Sequence, residues 1–297
     1  MGDRLLVVTG GGLGLGWPVY LRLGRVSNLP TVWTNVLAGT ALAGEPVGPA
    51  RLALLLVAFS LFYTGGMYLN DAFDREIDAR ERPERPIPSG QVSAERVFAM
   101  GFGMLAAGVV VLLATAAWLA AASGVALAGV ITFYDAHHKA NPLSPVVMGL
   151  CRVLVYVTAA LAVAGRAGTA VLGGAGVLLC YLIGLTYVAK QENLTEYRNV
   201  WPLLFLAAPF AYAAPTLVLG PAGAVVYLGF LAWVVYAVAL LVRPGRPNIR
   251  TAVVSLIAGI SLLDAVLIAG TGDGVRAAVA VLGFGLTLAF QRWVPGT

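Results

Sequence analysis

Apolar stretches of about 20 residues follow one another along almost the whole chain, and this succession constrains the fold more than any other feature. An α-helix of that length spans the roughly 30 Å hydrocarbon core of a bilayer. Charged residues make up only 11% of the 297 residues, and the mean hydropathy is +0.86. A soluble domain of this length would carry far more charge. The sequence therefore predicts an all-α integral membrane protein that crosses the bilayer many times.

The apolar windows predict a polytopic bundle of nine or ten transmembrane helices, and we take ten as the count. Their predicted bounds are 18–43, 50–73, 93–113, 115–134, 143–164, 168–190, 199–219, 221–243, 249–270 and 274–294. No polar loop divides residues 93–134, yet a single helix over them would measure about 63 Å, twice the hydrocarbon thickness. We therefore expect this segment to cross twice, with a tight turn between the two helices.

A glycine-rich stretch at residues 9–16 precedes the first predicted helix. It comes after an apolar run and so imitates the strand and glycine turn of a dinucleotide-binding site. Trp17 and Pro18 then lead into a membrane helix, whereas such a site needs an amphipathic helix next. We predict a flexible N-terminal tail over residues 1–17, or a start codon placed too early, and a single transmembrane domain over residues 18–297.

Basic residues concentrate in the loops after the even-numbered helices. They are Arg75, Arg80, Arg82, Arg85, Lys139, Lys190, Arg198, Arg243, Arg246, Arg250 and Arg292. The opposite loops carry little more than Arg51, Arg166 and Arg276. The positive-inside rule puts the basic loops and both termini in the cytoplasm, in a plasma membrane if the protein is prokaryotic. The net charge of +5 results from this topology, and the chain has no basic patch with interleaved aromatics that would predict a nucleic-acid partner.

Three carboxylates and an amide stand at the end of the second apolar segment, where charge is costly unless it is used. They are Asn70, Asp71, Asp74 and Asp78. At 100° per residue the three aspartates fall within roughly 60° of one another on a helix, so they can face one small volume. This spacing predicts a site that gathers divalent cations.

The loop at residues 80–90 combines three arginines with three prolines, so its guanidinium groups lie on a stiff segment. Arginines beside a carboxylate cluster suit a phosphorylated ligand, since metal ions bridge carboxylates to phosphate oxygens and guanidinium groups cover the rest. A solvated loop with internal pairs between these arginines and Glu81 or Glu84 is the alternative.

The ends of the predicted fourth and sixth helices bring further polar groups to the same membrane face. Tyr134, His138 and Lys139 end the fourth helix, and Lys190 ends the sixth. Glu192 and Glu196 come next, one helical turn apart, and predict a second acidic site opposite the first. The ends of helices two, four and six are therefore expected to enclose one cavity that opens to the cytoplasm.

Together these residues resemble the UbiA superfamily of intramembrane prenyltransferases over roughly residues 20–270. The stretch from Asn70 to Asp78 is similar to the family's NDxxDxxxD signature, and the stretch from Arg82 to Gly90 is similar to the basic, proline-rich segment that comes after this signature in the family. Tyr134 to Gly149 resembles the family's Tyr-x-x-x-Lys-Arg segment. The combination of Tyr-Asp-x-x-His-Lys with Ala-Lys-Gln-Glu resembles the EboC-like branch, whose acceptor the sequence does not identify.

The resemblance implies Mg²⁺-dependent transfer of an isoprenyl group from an allylic diphosphate to a small acceptor, most often aromatic. It implies Mg²⁺ ligation by Asn70, Asp71, Asp74, Asp78, Glu192 and Glu196, with the first four and Lys139 as catalytic residues. Substrate contacts are expected from Arg22, Asn28, Arg82, Arg85, Tyr134, His138 and Lys190. The expected partners are the diphosphate donor, a lipophilic or aromatic acceptor and membrane lipid. Glycerol-phosphate lipid, sugar-phosphate and porphyrin-like acceptors, and cyclisation without an acceptor, stay open.

Departures from the family pattern keep a rival function open. The second motif has glutamates where the family usually has aspartates, and position 138 is His where a lysine is usual. A membrane protein that kept the fold but lost catalysis, acting in transport or assembly of a small lipophilic molecule, is therefore the alternative. Against it stands the complete first motif with its arginine-rich tail.

Polar residues also occur inside the predicted helices. Asn28 and Asn35 lie seven residues apart and so share a helix face, where they line an acceptor pocket or form hydrogen bonds between helices. Asp264 is an intramembrane carboxylate for which the sequence indicates no purpose.

Overall fold

The computed structural model describes residues 17–139, 141–191, 201–242, 248–294 and 296, and the regular structure within them is helical throughout. The α-helices are α1 Trp17–Leu23, α2 Leu29–Leu42, α3 Pro49–Phe73, α4 Arg75–Glu81, α5 Ala94–Leu113, α6 Trp118–His137, α7 Ser144–Ala164, α8 Thr169–Ala189, α9 Ala208–Ala213, α10 Pro221–Leu241, α11 Ile249–Ala269 and α12 Gly274–Phe290. The predicted all-α class is confirmed. Of the N-terminal tail predicted over residues 1–17, residues 1–16 lie outside the described residues.

Seven of the described helices are long and apolar enough to cross a membrane: α3, α5, α6, α7, α8, α10 and α11. The apolar segments Leu203–Val218 and Gly274–Phe290 are shorter. The double crossing expected over residues 93–134 is present as α5 and α6, which a short turn at residues 114–117 connects. Nine or ten helices is thus an approximate count, and the chain is an integral membrane protein.

The first predicted helix, residues 18–43, is broken in the structure. Helix α1 ends at Leu23, a single 3-10 turn covers Val26–Asn28, and α2 begins at Leu29. Arg25 adopts a left-handed conformation with φ 40°, and the ring of Pro30 prevents a continuous helix because it removes a backbone donor and crowds the preceding turn. The break turns the Arg25 side chain toward the end of α3.

The segment predicted as one helix over residues 199–219 is also irregular. It consists of a 3-10 stretch Trp201–Ala207, the short helix α9 and a second 3-10 stretch Ala214–Val218. Pro209 and Pro215 stand near the starts of the last two pieces, where a residue without a backbone N–H can be accommodated.

Helix α11 is the most enclosed of the membrane-spanning helices, with 83% of its apolar window buried, and it packs against α2, α8, α10 and α12. Close approach of α2 to α7 is possible because Gly39 has no side chain. A Cβ atom at this position would lie 2.8 Å from the carbonyl oxygen of Tyr156. The approach brings polar groups of α2, α7 and α11 together in the bundle interior.

Candidate active site

Helix α3 continues almost without interruption into α4, and Asp74 stands at the junction. The Asp74 N–H donates to the Asn70 carbonyl oxygen at 3.0 Å, and the Asp78 N–H donates to the Asp74 carbonyl oxygen at 2.9 Å. Helical spacing is therefore kept across the junction, as the sequence predicted. The side chains of Asn70, Asp71, Asp74 and Asp78 are all buried, with residue exposures between 2% and 7%.

Two arginines neutralise the buried carboxylates of Asp71 and Asp78. Arg85, from the proline-rich loop, lies 2.7 Å from an Asp78 oxygen and 3.2 Å from an Asp71 oxygen. Arg25 lies 2.9 Å from the same Asp71 oxygen and also donates to the Asn70 side-chain oxygen at 3.2 Å. The loop arginine predicted to face the acidic helix thus does so, whereas Arg25 was not among the predicted site residues. Only the break after α1 brings it there.

Asp74 is held by the basic pair at the end of α6. Lys139 Nζ lies 3.2 Å from an Asp74 oxygen, and His138 Nε2 lies 3.4 Å from it. Burial opposes ionisation of the carboxyl, but the hydrogen bonds and charges of His138 and Lys139 outweigh it and lower the pKa of Asp74 below its ordinary value. The ring of Tyr134 stacks on His138 with centroids 5.0 Å apart. The end of α6 therefore faces the acidic helix, as predicted.

Asp135 is a fifth polar member of this group that the sequence analysis did not select. Its Oδ1 accepts a hydrogen bond from the Asn70 amide at 3.2 Å, and it is 3% exposed. Its Oδ2 is buried without a hydrogen-bond partner among the described residues. Its place directly after Tyr134, at the end of an apolar helix, was the available signal. We call Asn70, Asp71, Asp74, Asp78 and Asp135 the acidic cluster.

Asn70 and Asp74 of the acidic cluster line a cavity of about 270 Å³ with a mixed polar and apolar lining. Its polar lining includes Asn70, Asp74, Arg82, Arg85, His138 and Lys139. A second cavity of about 80 Å³ lies among mostly apolar side chains of α2, α3, α6 and α7, and Asp135 and Arg152 also line it. Both cavities are lined by Tyr63, Met67, Tyr134, Met148 and Arg152, so they adjoin. A polar mouth that leads to an apolar chamber suits an amphiphilic ligand with a charged end and a hydrocarbon tail.

The remaining predicted substrate contacts are divided between the cavity and other places. Arg82 and Tyr134 line the cavity. Asn28 lines it too, and its amide donates to the Gly296 carbonyl oxygen at 2.9 Å. Arg22 is exposed outside this lining and donates to Gln91 at 2.8 Å, and Lys190 is exposed and donates to the Asn141 carbonyl oxygen at 3.2 Å. The predicted second acidic pair, Glu192 and Glu196, lies outside the described residues.

The acidic cluster provides oxygen ligands of the type that Mg²⁺ prefers. Among the described residues, no three acidic, histidine or cysteine side chains converge closely enough to hold a metal ion by themselves. Mg²⁺ does not need such a cage, since it is commonly held by one or two carboxylates together with substrate phosphates and water. The unpartnered Oδ2 of Asp135 is a free oxygen beside these carboxylates. The donor set therefore fits Mg²⁺ that arrives with a phosphorylated ligand.

A second polar group lies deeper in the bundle, around Asp264 of α11. The Asn35 amide donates to both Asp264 oxygens, at 2.8 and 3.1 Å, and the Tyr156 hydroxyl donates to one of them. Arg152 donates to the Asn35 side-chain oxygen at 2.8 Å and to the Thr31 hydroxyl at 3.1 Å. We call these five residues the Asp264 network. Asn35 therefore forms hydrogen bonds between helices, one of the two roles expected for it.

Comparison with solved structures identifies the fold. A structure from work on digeranylgeranylglyceryl phosphate synthase in membranes superposes with a TM-score of 0.59 at 19% identity, covering 86% of this chain and 98% of the other. A UbiA homologue from Archaeoglobus fulgidus, bound to DMAPP and Mg²⁺, gives a TM-score of 0.52 at 14% identity, covering 91% of this chain and 98% of the other. The arrangement of helices is therefore that of UbiA proteins.

Sequence comparison agrees with the fold. Digeranylgeranylglyceryl phosphate synthase from Ignicoccus hospitalis is 44% identical over 89 residues, which are 30% of this chain and 29% of that protein. The chain spans about a third of the length of the curated relatives it matches. The model of the UbiA prenyltransferase family matches residues 31–263, which is most of the chain. The chain therefore belongs to the UbiA prenyltransferase family, as its motifs predicted.

Proposed function

We propose that the protein transfers an isoprenyl group from an allylic diphosphate to a lipophilic acceptor within the membrane, in a reaction that depends on Mg²⁺. The observation that carries this proposal is the position of the acidic cluster, which borders a cavity that adjoins an apolar chamber. Family membership supports the reaction class. The Archaeoglobus fulgidus homologue, bound to DMAPP and Mg²⁺, supports the donor class and the metal.

Asn70, Asp71, Asp74 and Asp78 would hold Mg²⁺, with Glu192 and Glu196 as the proposed second set. When bound, the metal would stabilise the negative charge that develops on the leaving diphosphate. Arg82, Arg85 and Lys139 would bind the remaining diphosphate oxygens, because guanidinium and ammonium groups form strong, charge-assisted hydrogen bonds to them. Tyr134 and His138 border the same space.

The apolar chamber would hold the first part of the isoprenyl tail and exclude water from the allylic carbon. During transfer the bond between this carbon and the diphosphate oxygen breaks, and its electron pair leaves with the diphosphate. A glyceryl phosphate acceptor would then bond to the allylic carbon through its hydroxyl oxygen, and the hydroxyl proton would pass to water. An aromatic acceptor would bond through its hydroxyl oxygen or a ring carbon and lose the proton from that atom. The aromatic faces of Tyr63 and Tyr134, which line both cavities, would stabilise positive charge on the allylic group.

We consider two classes of acceptor. The names of the curated relatives support a glyceryl phosphate lipid. A small aromatic acceptor, the family's most frequent case, is the class that the sequence analysis expected. The arginine-rich loop after α4 supports a cytoplasmic position for the cavity mouth, in the plasma membrane of a prokaryote.

The test is to measure binding and turnover of radiolabelled farnesyl and geranylgeranyl diphosphate with the purified protein. We expect Mg²⁺-dependent binding that is lost in Asp71→Ala. Donor binding that is absent, or that is unaffected by Mg²⁺ and by this substitution, would refute the enzymatic proposal. For the rival role in transport, the readout is the flux of a lipophilic molecule in vesicles, and equal flux with the wild type and with Asp71→Ala would speak against that role.

A further inference from the structure

The Arg152 guanidinium lies where the two cavities meet, on a membrane-spanning helix, and it lines both of them. A charged group inside a membrane helix is costly, and it typically faces a cavity with a functional role. In the described part of the chain, no carboxylate oxygen lies within 4.0 Å of this guanidinium. Arg152 therefore presents a positive charge at the cavity junction without a direct ion-pair partner.

The surrounding network fixes the orientation of this side chain. Arg152 donates to Asn35 on one side and to Thr31 on the other, and its guanidinium carbon lies 5.6 Å from the centroid of the Tyr63 ring. Asn35 is itself held by its two hydrogen bonds to Asp264. A guanidinium has more N–H donors than these two bonds use. The group is thus pre-organised, with donors to spare for a ligand.

Arg152 is separate from the cations that serve the acidic cluster. Asp71 is paired with Arg25 and Arg85, and Asp74 is paired with Lys139. Asp264 is linked to Arg152 through Asn35, which forms hydrogen bonds with both side chains. The donor's diphosphate therefore has its own basic residues near the acidic cluster, and Arg152 provides a second anion-binding position on the same cavity.

We propose that Arg152 binds the anionic group of the acceptor, a phosphate or a carboxylate, and so selects acceptors that are both amphiphilic and negatively charged. This inference rests on the proposed function, whose acceptor it describes further. Guanidinium groups match both anions because they can form two parallel hydrogen bonds to neighbouring oxygens. Asn35 and Asp264 are positioning residues that hold the guanidinium in this orientation.

The experiment compares anionic acceptors with neutral analogues in calorimetric binding to the full-length protein in lipid nanodiscs. The probes are a glyceryl phosphate ether lipid with its phosphate-free alcohol, and hydroxybenzoate with hydroxybenzyl alcohol. Arg152→Met is expected to weaken binding of one anionic probe on the order of 10- to 100-fold, the loss of a charge-assisted hydrogen bond, and to leave its neutral analogue within about twofold. The probe that responds distinguishes a phosphate from a carboxylate.

Arg152→Lys and Arg51→Met are the matched variants. Arg152→Lys keeps the positive charge but loses the two parallel N–H donors of the guanidinium, so we expect an intermediate affinity for the anionic probe. This variant replaces Arg152→Met if the methionine variant does not fold. Arg51 is exposed at the start of α3, and its substitution is expected to leave all four affinities unchanged. Equal losses for the anionic probe and its neutral analogue in either Arg152 variant would overturn the proposal, as would a wild-type protein that binds neither anionic probe.

Donor binding, measured in parallel with farnesyl diphosphate and Mg²⁺, separates this inference from the proposed function. Arg152→Met is expected to retain donor affinity within about twofold, whereas a purely structural role would lower donor and acceptor affinity together. If the wild type fails to bind the donor but still prefers the anionic acceptor through Arg152, the prenyltransferase proposal fails and the anion site remains.

Discussion

The acidic cluster and the Asp264 network are both buried, both contain carboxylates and both involve arginines, yet they are built differently. Every buried side-chain polar atom of the Asp264 network has a hydrogen-bond partner within the described chain, whereas the acidic cluster leaves the Oδ2 of Asp135 without one. The cations of the acidic cluster come from loops and helix ends that border a cavity. The arginine of the Asp264 network, Arg152, comes from the middle of the membrane-spanning helix α7. The acidic cluster is the proposed site for the diphosphate, whereas Asn35, Tyr156 and Asp264 join α2, α7 and α11 and hold Arg152 at the cavity junction.

Asp264→Ala should produce the largest effect, because it leaves the buried side chains of Asn35 and Tyr156 without their hydrogen-bond acceptor. We expect a loss of roughly 2–6 kcal/mol in the free energy of unfolding, about 1–3 kcal/mol for each unsatisfied group, measured by denaturant titration in mixed micelles. Glu45→Ala, which removes an exposed carboxylate in the loop before α3, is the control. A loss below about 1 kcal/mol would contradict a structural role for the Asp264 network.

Asp74→Ala should lower activity strongly and stability little, the reverse of Asp264→Ala. We expect kcat/KM for the donor to fall roughly 10²- to 10³-fold, because a metal-binding carboxylate at the developing charge is lost. Stability should change little, since the Lys139 partner is half-exposed and water replaces the lost contact. Glu76→Ala, on the adjoining helix α4 with an exposed side chain, should leave turnover unchanged. Unfolding at a much lower temperature would show that Asp74 is structural.

Gly39→Ala tests the close packing of α2 against α7, on which the Asp264 network depends. The added Cβ would lie 2.8 Å from the Tyr156 carbonyl oxygen, so α2 and α7 must move apart and the Asp264 network must stretch. We expect about 1–3 kcal/mol of destabilisation with donor affinity retained. Gly103→Ala, where a new Cβ meets nothing within 4 Å, is the matched control on α5. Equal unfolding midpoints for the two variants would contradict the close packing.

Chelation should have the smallest effect on the fold. The carboxylates of Asp71, Asp74 and Asp78 already have basic partners, so the folded state does not depend on a metal for their neutralisation. Addition of EDTA is expected to abolish donor binding while the melting temperature shifts by less than about 2 °C. The measurement is thermal unfolding followed by tryptophan fluorescence, with and without Mg²⁺. A large fall in the melting temperature would make the acidic cluster structural as well.

The sequence predicted the features that depend on local periodicity. The double crossing over residues 93–134 is a consequence of helix length alone, and the common face of Asp71, Asp74 and Asp78 is a consequence of the number of residues per turn. The helix break at Arg25 was not predicted, because an apolar window averages over Gly24 and Pro30, although both residues are visible in the sequence. The sequence motifs that carried the family resemblance were confirmed by the family match, while the EboC-like branch stays a prediction.

Partners far apart in the sequence could not be predicted in the same way. Asn35 meets Asp264 across 229 residues, and Arg152 reaches Asn35 across 117. No spacing rule relates such positions, because only the packing of α2, α7 and α11 brings them together. The sequence did show each of them as a polar residue inside an apolar helix. Such a position indicates a structural or functional role but does not identify the partner.

Arg85 has a consequence for the proposed reaction. It bridges Asp71 and Asp78, so a diphosphate that binds with Mg²⁺ would exchange counter-ions with the protein rather than meet bare charges. Such an exchange limits affinity for the donor, since each new contact replaces an existing one. It also favours departure of the diphosphate product, because the carboxylates recover their arginine as the product leaves. We therefore expect the ion pairs of Arg85 with Asp71 and Asp78 to form again after each reaction.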